Sequence, residues 1–209
     1  MNLRVIGGRL RGRRLSSPRG LGTRPSSGRT RNAVMNILGP EGVEGASVLD
    51  LYAGTGASGI EALSRGARRA LFVEQGREAL EALERNLRDL GLAGEEAGIL
   101  RRDAVRAAAG GAPLPGEPFD LVFCDPPYEV FRDGVRARAL REALGSLASR
   151  GALAPGVVVV VEHPAGGGFA LPPAGLRATD ERAYSAAGVT LYRRAARGTA
   201  EGPPRSEEE

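Results

Sequence analysis

The sequence predicts an α/β domain in which a mostly parallel, seven-stranded sheet carries helices on both faces. Three observations predict it. Short apolar strands alternate with helical periods from Ser47 to about Arg194, the pattern of parallel strands joined through crossover helices. The first long strand runs into a glycine-rich turn, Ala53-Gly-Thr-Gly-Ala-Ser-Gly59, and then a helix. A later strand, Phe119–Cys124, delivers Asp125-Pro126-Pro127-Tyr128 at its carboxyl end.

At 209 residues the chain has the length for one substantial core and not for two full domains. Leu3–Ile6 and Arg13–Leu15 read as the short strands of an N-terminal β-hairpin joined through Gly7 and Gly8. Arg24-Pro-Ser-Ser-Gly28 leads into a helix from about Arg29 to Leu38, capped by Ser26 or Ser27. Ser47–Tyr52 is a buried strand and Ser58–Arg65 a helix. Ala70–Glu74 is the second sheet strand, and Arg77–Leu90 a regularly patterned helix stopped by Gly91. Gly98–Arg101 is a weak third strand, followed by a short helix through Val105. After the strand Phe119–Cys124 come a helix over Val135–Leu147 and a fifth strand over Val157–Glu162. Leu176–Tyr184 and Val189–Arg194 close the sheet as an antiparallel hairpin. The remaining residues, rich in Pro, Gly and Glu, have the composition of a disordered tail.

Composition excludes several chemistries. The single Cys124 cannot form an internal disulfide or a cysteine-based zinc cluster, and the single His163 argues against a histidine-rich metal site. The longest aliphatic run, Val157–Val161, is far too short to cross a bilayer. The amino terminus lacks the apolar stretch of a secretion signal, so the expected location is the cytoplasm. All 29 basic residues are arginine, which removes lysine Schiff bases and lysine-dependent phosphate loops. A GC-rich genome produces the same usage. Their placement says more. The first 31 residues hold nine arginines and no acid, while the whole chain carries +4, so the rest carries a net −5. A basic arm on a mildly acidic body suits a polyanionic partner. Leu3, Val5, Ile6, Leu10 and Leu15 interleave with the arginines, as in a short hairpin rather than a solvated leader.

The glycine turn is the first motif that carries chemistry. Gly54 and Gly56 allow the backbone to approach a ligand, and Gly59 allows helix and strand to pack closely. Glu74 ends the next strand 20 residues after Gly54, where an acid that binds ribose belongs. These features alone fit NAD, FAD or S-adenosylmethionine. Asp50, at the strand end facing the crevice, favours the last. A carboxylate there opposes a pyrophosphate and suits ammonium and sulfonium charges. Tyr52 belongs to the same turn and joins the set expected to bind cofactor. Asp103 has two readings, an acceptor for the adenine amino group or a helix cap.

The second motif is Asp125-Pro126-Pro127-Tyr128. Two prolines fix φ and hold the turn extended. The tetrapeptide presents a carboxylate, free carbonyls and an aromatic ring in fixed relation. An exocyclic amine on a base needs that set, because its lone pair is delocalised into the ring. Acceptors bonding its N–H groups favour a more pyramidal nitrogen, and Tyr128 can stack on the base. An aspartate, which only accepts, suits the adjacent N1–H and N2–H₂ donors of guanine better than the donor and acceptor of adenine.

These residues resemble the bacterial small-subunit ribosomal RNA guanine-N2 methyltransferases of the RsmD type. The likeness runs from Arg4 to about Arg194. It comprises Arg4-Val-Ile-Gly-Gly8, Arg11-Gly-Arg-Arg-Leu15, Arg24-Pro25, the Asp50 glycine loop, Ile60-Glu-Ala-Leu-Ser-Arg-Gly-Ala67, Phe72-Val-Glu74 and Asp125-Pro-Pro-Tyr128. It implies the Rossmann-like fold of class I S-adenosylmethionine-dependent methyltransferases. It also implies 16S rRNA, within an assembled 30S particle, as the partner of a monomer without metal or membrane. On this reading residues 1–28 form an RNA-binding arm using Arg4, Arg9, Arg11, Arg13, Arg14 and Arg24. Arg29 joins them at the start of a methyltransferase domain over 29–195, with a disordered tail over 196–209. The family usually follows Arg-Pro with Thr-x-Asp-Arg-x-x-Glu. Here Ser26, Ser27, Gly28, Arg29 and Asn32 stand in that stretch, and two acids are missing.

Other readings use part of the same residues. A similar tetrapeptide serves methylation of adenine in DNA or of a glutamine amide in protein. An NAD-dependent oxidoreductase accounts for Gly54, Gly56, Gly59 and Glu74 but leaves Asp125–Tyr128 without a role. A non-catalytic RNA-binding protein has no use for Asp125 and Tyr128.

Overall fold

Residues 3–18, 27–92, 94–169, 171–184 and 186–194 are described by a computed structural model. Strand β1 (Ser47–Leu51) is buried at every position and lies between β2 (Arg69–Glu74) and β4 (Phe119–Cys124), both parallel to it. Parallel β3 (Ala97–Arg101) and β5 (Leu153–Pro164) extend the sheet on either side. An antiparallel pair, β6 (Leu176–Tyr184) and β7 (Ala187–Arg194), ends it, giving the order β3-β2-β1-β4-β5-β7-β6. The expected fold class is therefore present, with its antiparallel portion confined to one end.

The period of two along each strand divides the core. Val48, Phe72, Leu121, Phe123, Val158 and Val160 face one side. There they meet α1 (Ser27–Leu38), α2 (Ala57–Ser64) and α3 (Arg77–Asp89) through Met35, Ile60 and Leu83. Leu49, Leu51, Val73, Val122 and Val159 face the other side. That side is covered by α4 (Ala104–Ala109), α5 (Glu129–Arg132) and α6 (Gly134–Ser149). Continuous apolar strands read as buried on both faces because they are.

The amino-terminal segments pair antiparallel as expected, but through one bridge, Arg4 with Arg14, rather than a ladder. The reason lies in where their amides go. The Ile6 and Gly7 N–H groups donate to the buried carboxylate of Glu61 at 2.8 and 2.7 Å, and a 3-10 turn over Gly8–Leu10 follows. Val5, Leu10 and Leu15 enter the same core as α1 to α3, so this segment is packed rather than draped. Its two legs run from Leu3 and Ser16, near the glycine turn, to the 3-10 turn beside Ser64 and Arg65 at the end of α2.

Other differences are local. α1 begins at Ser27, so Ser27 is its first residue rather than a cap outside it; Ser26 lies outside the described residues. β5 begins at Leu153 because a register shift between Phe119 and Leu121 accommodates Pro155 and Gly156. The one-turn helix α5 and the full length of α4 were not expected. The tail over 196–209 lies outside the described residues. Among the described residues no helix is long and apolar enough to cross a membrane.

Candidate active site

The strand order reverses between β1 and β4, and in such sheets ligands bind beyond the carboxyl ends of the strands at that point. A cavity of about 590 Å³ opens there. Asp50, Tyr52, Gly54, Glu74, Asp125 and Pro126 line it, together with Pro127. The structure thus brings both sequence motifs to one cavity. Gly56, Asp103 and Tyr128 are not part of its wall among the described residues.

The turn after β1 is built by backbone geometry. Tyr52 adopts φ 60, unusual for a residue with a Cβ, and Gly54 follows at φ 57. Burial pushes the Tyr52 hydroxyl pKa up, with the Cys124 thiol and Asp103 adding to the shift. The Gly54 N–H donates to Glu74 Oε2 at 2.8 Å, while Glu74 Oε1 accepts from the Gln75 and Gly76 amides at 2.8 and 2.7 Å. Three backbone donors fix this carboxylate and leave about one of its roughly four lone-pair sites open. At Gly56 the structure displays close packing. A Cβ there would stand 2.4 Å from Leu83 Cδ1.

Asp50 is almost fully buried, and its Oδ2 accepts from the Gly59 N–H at 2.9 Å. Burial pushes its pKa up to about 8. The Gly59 hydrogen bond opposes that shift, and the nearby charges of Asp125 and Glu74 add to it. Such a group is a proton store until a cation arrives. Asp103 caps α4, its Oδ1 accepting from the Arg106 N–H at 2.9 Å. Of its two readings, the cap is the one this structure displays, while its neighbours Arg102 and Ala104 line the cavity.

Asp125 follows β4 at the cavity mouth and is exposed, with its N–H directed at the Leu51 carbonyl at 3.4 Å. Tyr128 sits at the start of α5, half-buried, its hydroxyl 3.4 Å from the Ala186 carbonyl beside the β6–β7 turn. Cys124 is buried beneath this turn with its thiol pKa pushed up by burial, which makes it an inert wall residue rather than a nucleophile.

Sequence reasoning missed three charged groups in the cavity wall, Arg31, Glu162 and the exposed Arg102. Glu162 lies near the end of β5, on the same sheet edge as Asp50, Glu74 and Asp125. That shared edge was the available signal. Arg31 is buried on α1. It falls at helical spacing with Val34, Met35 and Leu38, so a cation on the apolar stripe was the signal there.

The arm arginines divide. Arg11, Arg14 and, on α1, Arg29 are exposed. Arg4 donates to the Gly12 carbonyl at 2.8 Å. Arg9 pairs with Glu96 at 2.5 Å, and Arg13 donates to the Asp89 carbonyl at 2.7 Å. Glu96 precedes β3 and Asp89 ends α3, so these two arginines are fastened at the sheet edge opposite the cavity. Arg24 lies outside the described residues. Among the described residues no cluster of three or more His, Cys, Asp or Glu could hold a metal ion.

Comparison with known proteins agrees with this geometry. A family model described as conserved hypothetical protein 95 matches residues 3–193. Ribosomal RNA small subunit methyltransferase D of Escherichia coli (strain K12) is 36% identical over 196 residues, 94% of this chain and 92% of that protein. The chain belongs to this RsmD family. A solved structure described as the putative methyltransferase yhhF of Escherichia coli superposes with a TM-score of 0.76 and 34% identity, covering 93% of this chain and 98% of that one. The 16S rRNA N2 methyltransferase RsmC of T. thermophilus, solved with AdoMet and guanosine, gives a TM-score of 0.60 at 22% identity. That match covers 93% of this chain and 50% of that one. At that identity the likeness is one of fold, and the fold is that of class I S-adenosylmethionine-dependent methyltransferases.

Proposed function

We propose that this protein transfers a methyl group from S-adenosylmethionine to the exocyclic N2 of a guanine in 16S rRNA of the small ribosomal subunit. The observation that carries the reading is the meeting of Asp125-Pro126-Pro127 with Asp50, Gly54 and Glu74 around one cavity. The E. coli relative's name, a small-subunit rRNA methyltransferase, supports the substrate class.

The residues fit the donor. Burial raises the Asp50 pKa to about 8; a ligand cation would draw out the ionised carboxylate, whereas a pyrophosphate would oppose it. Bound S-adenosylmethionine supplies a methyl group already activated on a sulfonium, so little is asked of the chain beyond positioning. Asp50 faces its positive charge, Glu74 accepts from the ribose, and the Gly54 turn lets the ligand lie against backbone. At the other end Asp125 accepts from the guanine N1–H and N2–H₂ groups. That contact localises the nitrogen lone pair and aligns the amine. Tyr128, at the rim, stacks on the base.

The arm over residues 1–28 contributes phosphate contacts that orient the RNA without reading sequence. The partner is an assembled 30S particle and the enzyme a cytoplasmic monomer. The test is methyl transfer from labelled S-adenosylmethionine to 30S particles and to naked 16S rRNA from cells lacking the protein, with the product base identified by mass spectrometry. One N2-methylguanine, formed in the particle, is expected. Methyladenine as the product, or transfer to protein alone, would overturn the reading.

A further inference from the structure

Arg31 stands apart from the other arginines. Its side chain is 6% exposed, it lies on the buried face of α1, and it lines the cavity with Asp50. Its Nη2 donates to the Arg4 carbonyl at 2.8 Å. Among the described residues its Nε makes no hydrogen bond; it forms an ion pair with Glu61 Oε2 at 3.8 Å, beyond hydrogen-bond reach. The Glu61 carboxylate is already engaged by the Ile6 and Gly7 amides and by Arg65 Nε at 2.9 Å. Glu61, shared with Arg65, balances charge but completes no hydrogen bond to Arg31, so a buried guanidinium here gains from a further acceptor anion.

We propose that Arg31 binds the α-carboxylate of the amino-acid portion of S-adenosylmethionine, while Asp50 meets the ammonium group beside it. This rests on the proposed donor. The donor's tail is a zwitterion, and the cavity offers one buried carboxyl and one buried guanidinium to receive it. Arg102, the other arginine in the wall, is exposed and follows β3 on the side of Glu74, where its N–H bonds the Glu74 carbonyl at 3.0 Å. That places Arg102 toward the ribose end and leaves Arg31, on α1, as the buried cation of the wall. Since Arg31 also holds the Arg4 carbonyl, the same guanidinium ties the ligand cavity to the amino-terminal segment. An alternative anion for Arg31 is a phosphate of the target RNA. The measurement below separates the two.

The experiment compares binding of S-adenosylmethionine and its decarboxylated analogue by isothermal titration, for the wild type, Arg31→Gln and Arg31→Lys. Loss of a charge-assisted contact costs on the order of tenfold or more in affinity. The wild type should therefore prefer the intact ligand by about that factor relative to Arg31→Gln, whose preference should collapse. Arg31→Lys should recover part of it. A wild type that binds both ligands equally overturns the proposal without any variant having to fold. Equal weakening of both ligands in Arg31→Gln also overturns it and leaves Arg31 a structural residue. So does an unchanged ratio with weakened RNA binding, which assigns the phosphate. Failure of the wild type to bind either ligand counts instead against the donor itself.

Discussion

Asp50 Oδ2 accepts the backbone N–H of Gly59 at 2.9 Å, and a Cβ on Gly59 would stand 3.1 Å from that same oxygen. The carboxyl at the end of β1 and the first turn of α2 are thus one unit, and the third glycine of the motif exists for their approach. The same Cβ would stand 2.4 Å from Cε1 of the fully buried Phe72.

Gly59→Ala tests this unit. The added methyl has to displace Phe72 or shift α2, and overpacking of that kind costs about 1–3 kcal/mol. Urea unfolding should show the loss, and S-adenosylmethionine affinity should fall with it because Asp50 moves. A variant with unchanged stability would mean that strand and helix have slack the contact distances deny.

Asp50 also predicts a pH dependence. An aspartate in the unfolded chain titrates near 4, while Asp50 in the ligand-free fold keeps its proton to about 8. Between those values the folded state binds more protons than the unfolded one. The contribution of Asp50 to stability is therefore full below about pH 4 and is lost as the pH rises through about 8. A ligand cation needs the carboxylate and expels the proton. Affinity for S-adenosylmethionine should then rise with pH toward about 8 and fall again above it, as the ligand's α-ammonium, which ordinarily titrates near 8, loses its charge. Titration calorimetry near pH 7 in buffers of different ionisation enthalpy should find close to one proton released on binding. Asp50→Asn should release none and bind more weakly.

The strand–turn–helix from Ser47 to Ser64 and the strand into Asp125 were legible because both depend on local chemistry. Glycines, prolines and apolar runs report backbone geometry directly. The protonation of Asp50 was not legible, since it depends on burial among Gly59, Asp125 and Glu74, brought together only by the sheet. The burial of Val5, Leu10 and Leu15 was hidden by the arginines between them. α5 spans a single turn, too short for a helical period to show. Arg31 was counted as one more charge of the arm, although its spacing with Val34 and Met35 placed it inward.

Asp125 separates chemistry from binding. Its carboxylate lies at the cavity mouth, after β4, while donor binding is assigned to Asp50, Gly54 and Glu74 deeper in. Asp125→Ala should lower single-turnover methyl transfer on the order of a hundredfold or more, with S-adenosylmethionine affinity changed little. Near-normal turnover would make the tetrapeptide a structural turn and remove the proposed lone-pair mechanism.

The arm calls for substitution rather than truncation. Removing residues 1–14 would strip Val5 and Leu10 from the core and leave Glu61 without the Ile6 and Gly7 amides, so lost activity would report lost structure. Arg9 and Arg13 are committed to Glu96 and to the Asp89 carbonyl, which makes them weaker reporters of RNA. Arg11 and Arg14 are exposed and can be changed at little cost to the fold. If each neutralises a phosphate, Arg11→Ala with Arg14→Ala should flatten the log–log salt dependence of RNA affinity by about 1.4, since each contact on single strands contributes about 0.7. Turnover at saturating RNA should hold, because phosphate contacts position the enzyme and leave the base to Asp125 and Tyr128. The measurement is RNA affinity of wild type and double variant across a salt series, with thermal unfolding as the control for the fold. Parallel slopes at equal stability would leave the arm a packing element, and its positive charge would then serve no phosphate.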